Sequence, residues 1–71
     1  MDPSSLQLGQ WLRCATGYPE RILQSVAFHE VEPGSLWQVG YVSPEAVFLD
    51  DAQGQVAIAV ANENLALWRL G

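Results

Sequence analysis

Residues 35–42 carry apolar side chains at every second position. Trp37, Val39 and Tyr41 alternate with their neighbours, a period-2 pattern rich in aromatic residues that predicts a β-strand. Pro44 lacks a backbone N–H for a central strand ladder, so we expect the strand to end before it.

Two further apolar runs, 46–50 and 55–61, flank the sequence Asp-Ala-Gln-Gly at 51–54. Turn-forming residues between two strand-like runs predict a β-hairpin. Pairing Asp50 with Gln55 assigns the apolar side chains to two faces. One face then carries Val47, Leu49, Val56 and Ile58, and the other carries Phe48, Ala57, Ala59 and Ala61. Both faces are apolar, so both are expected to be covered.

The N-terminal segment has the pattern of an amphipathic helix. Asp2 and Pro3 are typical of a helix start, and Gly17 is placed to end it. The spacing i, i+3, i+4, i+7 predicts a helix over 3–16. The residues at that spacing are Leu8, Trp11, Leu12 and Ala15.

Two segments fit either helix or strand. Residues 19–25 suit a short helix opened by a proline, or a strand that continues into the β-branched and aromatic residues 26–31. In 62–70, Asn62 can cap a short helix, or the apolar positions can alternate as a strand. We favour the strand, as hairpin partner of 55–61.

These elements predict one α+β domain spanning 1–71. The N-terminal helix is expected to pack on an antiparallel sheet of four or five strands running from 26 to 70. The alternative is a small all-β barrel with a helical lead-in.

The charge of the chain restricts its partners. Eight Asp and Glu face three Arg and no Lys, which gives a formal net charge of −5. Nucleic acids and anionic membrane surfaces select basic proteins, so we expect neither as a partner. Proteins, including a second copy of the chain, or neutral small molecules are the expected partners.

The cysteine count and the absence of targeting features favour the cytoplasm. Cys14 is the one cysteine, and no apolar run reaches the length of about 18 residues that spans a bilayer. A structural zinc ion needs about four ligands, and the chain offers only Cys14 and His29 beside its carboxylates. We therefore expect no metal or other cofactor, and we interpret Cys14 as a packing residue.

His29 is the candidate for acid–base or metal chemistry, because Glu30 and Glu32 lie beside it in the sequence. On a strand, however, both carboxylates point to the face opposite the imidazole. A structural or solvated histidine is the favoured interpretation. Similarly, Asp50, Asp51 and Gly54 fit a turn better than a calcium loop, whose ligand positions they miss.

In a chain this short, exposed aromatic residues are candidates for an interface. A domain of 71 residues without disulfides or metal has a small core, and oligomerisation is a common remedy. With three tryptophans, at least one exposed ring is expected, and we nominate Trp37 and Tyr41 as possible interface residues. Ordinary core filling is the competing interpretation.

The sequence therefore favours a non-catalytic protein-interaction or self-assembly module, most simply a homodimer. The alternative is a small ligand-binding protein or an enzyme that uses His29 with the nearby carboxylates.

Overall fold

The main body of the molecule is an antiparallel sheet of five strands, accompanied by a separate two-stranded hairpin. The computed structural model describes residues 1–22 and 28–71. In chain order the strands are β1 (Trp11–Cys14), β2 (Tyr18–Arg21), β3 (Phe28–Val31), β4 (Leu36–Val42), β5 (Ala46–Asp51), β6 (Ala57–Ala61) and β7 (Trp68–Leu70). Short 3-10 helices cover Pro3–Ser5 and Asn62–Leu67.

The five-stranded sheet has the order β6-β5-β4-β1-β7, and β2 pairs with β3 as the hairpin. An isolated antiparallel bridge between Ile22 and Ile58 joins the hairpin to the β6 edge. No helix among the described residues is long and apolar enough to cross a membrane.

One face of the sheet forms the hydrophobic core. Alternate residues of each strand point inward, so a single set of apolar side chains is removed from water. Among the described residues, the core consists of Leu12, Cys14, Val31, Trp37, Val39, Val47, Leu49, Ile58, Val60, Leu65 and Trp68. The hairpin contributes Val31 and the second 3-10 helix contributes Leu65, so within 1–22 and 28–71 the core is closed without an α-helix.

The predicted N-terminal helix over 3–16 is wrong, and with it the α+β class. Asp2 does cap a helix, since its side chain accepts a hydrogen bond from Ser4 N, but this helix is only the short 3-10 helix Pro3–Ser5. Gly9 has φ of +84°, which an α-helix does not accommodate. From Trp11 the chain is a strand whose apolar residues alternate between solvent and core.

The helical lead-in of the all-β alternative is likewise reduced to that single turn. The positions that predicted the helix do not share a face in the structure, because Trp11 and Leu12 are consecutive in β1 and project to opposite sides of the sheet. Leu12 instead shares the core side with Cys14. Within four residues, the two periods cannot be separated by pattern alone.

The hairpin formed by β5 and β6 has the predicted faces but a different register. Asp50 pairs with Ala57 rather than Gln55, a shift of two residues that leaves the division of faces unchanged. The longer turn is held by the Asp51 carboxylate, whose Oδ1 accepts hydrogen bonds from Gln55 N at 2.7 Å and Val56 N at 3.1 Å.

The two segments that fit either a helix or a strand, 62–70 and 19–25, have different outcomes in the structure. In 62–70 a 3-10 helix precedes the short strand β7, which pairs with β1 and not with β6 as predicted. In 19–25, the first three residues belong to β2, and 23–25 lie outside the described residues. The predicted strand at 26–31 is present as β3 from residue 28 onwards.

An aromatic contact joins the hairpin to the end of the sheet. The Tyr18 and Trp68 rings meet edge to face, with centroids 6.2 Å apart, and Trp68 Nε1 donates a hydrogen bond to Tyr18 Oη. Trp68 is fully buried, so its indole N–H depends on this acceptor. The contact fixes the hairpin against the last strand.

We predict that Tyr18→Phe lowers the free energy of unfolding by about 1–3 kcal/mol, because it leaves the buried indole N–H without an acceptor. Urea denaturation followed by tryptophan fluorescence measures the change. The matched control is Tyr41→Phe, which removes a hydroxyl from a side chain that is 59% exposed. If both variants lose no more than about 0.5 kcal/mol of unfolding free energy, the stabilising role of the hydrogen bond between Trp68 and Tyr18 is contradicted.

The contact between Tyr18 and Trp68 also predicts that the stability of the protein depends on pH. Burial raises the pKa of Tyr18 above its ordinary value. The unfolded chain ionises this tyrosine above about pH 10 while the folded chain keeps it neutral, so its stabilising contribution falls as the pH rises further. We expect the stability difference between wild type and Tyr18→Phe to narrow in urea titrations above that pH.

Candidate functional site

The face of the five-stranded sheet opposite the core is a regular, partly exposed surface, and we call it the outer face. Cross-strand pairs define its rows, because residues directly opposite each other project from the same side. One row consists of Trp11, Gln38, Asp50 and Ala57, and the next of Arg69, Arg13 and Leu36. A third consists of Tyr41, Phe48 and Ala59.

A β-bulge at Gly40 determines which side chains reach the outer face. Val39 pairs with Leu49 on the core side, but the register shifts before Tyr41, which pairs with Phe48. The extra residue reverses the alternation beyond it. Val39 is therefore buried while Tyr41, two positions later, is 59% exposed.

Next to the bulge lies a shallow, open recess of about 450 Å³, lined by Gly40, Tyr41, Phe48 and Asp50. The two aromatic rings have centroids 5.6 Å apart and planes tilted by 31°. Phe48 is half-buried, and Tyr41 forms the exposed wall. The recess therefore combines ring faces, which attract cations, with one carboxylate.

The neighbouring carboxylates Asp50 and Asp51 have different roles. Asp51 holds the β5–β6 turn, whereas the Asp50 carboxylate makes no hydrogen bond or ion pair within 1–22 and 28–71. It lies over Gly40, where an added Cβ would be 2.5 Å from Asp50 Oδ2. The glycine thus leaves the space that the carboxylate occupies.

Arginines occupy the opposite end of the outer face. Arg13 and Arg69 are directly opposite each other on β1 and β7, and both are exposed. Arg13 donates one hydrogen bond, from Nη1 to Gly34 O at 2.8 Å. Arg69 Nη1 is held by two backbone carbonyls, of Ala66 at 2.7 Å and Trp68 at 2.8 Å. Like charges opposite each other repel, so this end favours an anionic neighbour.

The two residues nominated as an interface lie in different environments. Tyr41 is exposed on the outer face, but Trp37 is 4% exposed and belongs to the core, where its Nε1 donates to Ser35 Oγ at 3.0 Å. The bulge separates them, and nothing in the alternating pattern signals it except the glycine. Trp11, at 39% exposure, is the exposed tryptophan of the outer face.

His29 lies on the hairpin, away from the recess. Its cross-strand partner is Glu20, not either of the carboxylates beside it in the sequence. Glu30 and Glu32 line a separate depression of about 500 Å³ next to Tyr18, and His29 is not among its lining residues. The imidazole instead packs edge-on against Trp37, with centroids 5.6 Å apart.

The other candidate groups are similarly dispersed. Cys14 is buried, its Sγ donates to Thr16 O at 2.8 Å, and burial raises the pKa of its thiol, which disfavours a nucleophilic thiolate. Burial also raises the pKa of Glu20. Within the part of the chain that the structure describes, no three His, Cys, Asp or Glu side chains are grouped to hold a metal ion.

We predict that His29→Ala lowers the free energy of unfolding by about 0.5–1.5 kcal/mol, because it removes the aromatic contact with Trp37. Thermal and urea unfolding monitor the loss. Glu30→Ala, at an exposed position on the other face of β3, is the control and should change stability by less than about 0.5 kcal/mol. Equal effects of the two substitutions would argue against a packing role for His29.

We further predict that Cys14 in the folded protein reacts slowly with a soluble disulfide reagent and rapidly in urea, because its thiol is 1% exposed. The release of the coloured thiolate gives both rates. Rapid reaction of the folded protein would contradict the buried, protonated thiol.

The chain was compared with protein-family models, curated proteins and solved structures. None of the three comparisons finds a match. Function is therefore inferred from the chemistry of the described residues, and the outer face is the surface on which exposed aromatic and charged side chains come together.

Proposed function

We propose that this protein is a non-catalytic interaction module that forms a homodimer through its outer face. The observation that carries the proposal is the composition of that face. Tyr41, Trp11 and Leu36 are exposed by 59%, 39% and 38%, on the same side of one sheet. Exposed aromatic residues on a regular surface are typical of interfaces.

The charge of the outer face favours a second copy of the chain. A net charge of −5 on each copy opposes association at long range, but salt screens this repulsion beyond about 8–10 Å. At short range the face offers Asp50 at one end and Arg13 with Arg69 at the other. An interface with two-fold symmetry brings unlike ends together.

The size of the molecule limits the strength of this dimer. Its extents are 29 × 23 × 23 Å, so one sheet face buries a small interface, at or below about 1,200 Å² in total. Interfaces of that size are usually weak and reversible. We therefore expect dissociation in the micromolar range, without catalytic chemistry at the interface.

Sedimentation velocity from low to high micromolar concentration tests the proposal. We expect the average mass to rise with concentration, and Tyr41→Ser to weaken association by about tenfold, which corresponds to 1.4 kcal/mol.

The matched control is Phe28→Ser, which removes an aromatic side chain that is 72% exposed but lies on the hairpin. It should leave the dissociation constant unchanged. A monomer at high micromolar concentration, or equal weakening by both substitutions, would overturn the proposal.

A further inference from the structure

We propose that the recess of Gly40, Tyr41, Phe48 and Asp50 is the binding site for the Arg13 guanidinium of the second copy. The inference rests on the proposed dimer and specifies its contact. Each copy supplies one recess and one arginine, so the same ion pair forms twice.

The positions of the two groups satisfy the symmetry of such a dimer. Asp50 lies on β5 and Arg13 on β1, with β4 between them, and both project from the outer face. A two-fold axis in the interface plane, crossing β4 between the two groups, exchanges them. Asp50 of each copy then faces Arg13 of the other, and the exposed Leu36 lies near the axis.

The recess has the chemistry that a guanidinium requires. The Asp50 carboxylate has no donor among the described residues, and its two oxygens match the planar fork of an arginine. The exposed face of Tyr41 provides a surface on which the same guanidinium can stack. An ion pair partly withdrawn from water between rings is stronger than one on an open surface.

Arg13 fits this role better than the other two arginines. Its guanidinium has five N–H donors, and the structure uses one atom, Nη1, for Gly34 O. Arg69 is held against its own backbone by two carbonyls, and Arg21 lies on the hairpin strand β2. A carboxylate from the second copy also relieves the repulsion between Arg13 and Arg69.

Charge reversal tests the pairing, with sedimentation velocity of the purified full chain as the measurement. Asp50→Arg and Arg13→Asp each place like charges at both contacts, and we expect each variant alone to dimerise at least tenfold more weakly. In an equimolar mixture of the two variants, both contacts of the mixed dimer regain opposite charges. We expect the mixture to recover association close to that of wild type.

The double variant carrying both reversals in one chain should likewise recover association. The control carries Arg13→Asp and Glu30→Arg in one chain, which adds the same positive charge on the hairpin instead of the recess, and it should not recover. Urea unfolding of each variant confirms that the chain is folded before its association is compared.

Gly40→Ala provides an independent test of the Asp50–Arg13 contact, because it changes no charge. The added Cβ displaces the Asp50 carboxylate, which is the end of a flexible side chain, so the fold is retained while the dimer weakens several-fold. If wild type dimerises but neither the mixture nor the double variant recovers, the Asp50–Arg13 contact is overturned while the dimer stands. If wild type remains monomeric, both proposals fail.

Discussion

The contact between Trp68 and Tyr18 holds the two parts of the fold together. Trp68 begins the last strand and is fully buried, while Tyr18 begins the hairpin that covers the core. The ring packing and the indole hydrogen bond close one side of the core, and the Ile22–Ile58 bridge joins the hairpin to the far edge of the sheet. The sheet thereby buries its inner face against its own hairpin and a 3-10 helix, which is how the described part of this short chain forms a core without an α-helix.

The second constraint is the bulge at Gly40. Without it, Tyr41 would follow Trp37 and Val39 into the core, and the outer face would lose its most exposed aromatic ring. The same glycine leaves room for the Asp50 carboxylate. One backbone irregularity thus creates both components of the recess, which agrees with the frequent occurrence of bulges beside functional sites.

Net charge and local charge have opposite implications for this protein. A charge of −5 favours separate chains. On the outer face, however, the Asp50 carboxylate, which has no partner among the described residues, lies only a few strand widths from two adjacent arginines. Contacts within a Debye length respond to the local arrangement. His29 shows the opposite case, because Glu30 is adjacent to it in the sequence but the pleat of β3 places the two side chains on opposite faces.

The sequence by itself determined the strands around residues 36–61 and the faces of the β5–β6 hairpin, because a period of two is a local property of the chain. Tertiary structure alone decided the N-terminal segment, where the apolar spacing favoured a helix but pairing with β4 and β7 selected the strand. It also decided the partner of β7 and the orientation of Tyr41. Strand pairing and bulges depend on residues distant in sequence, so no local pattern specifies them.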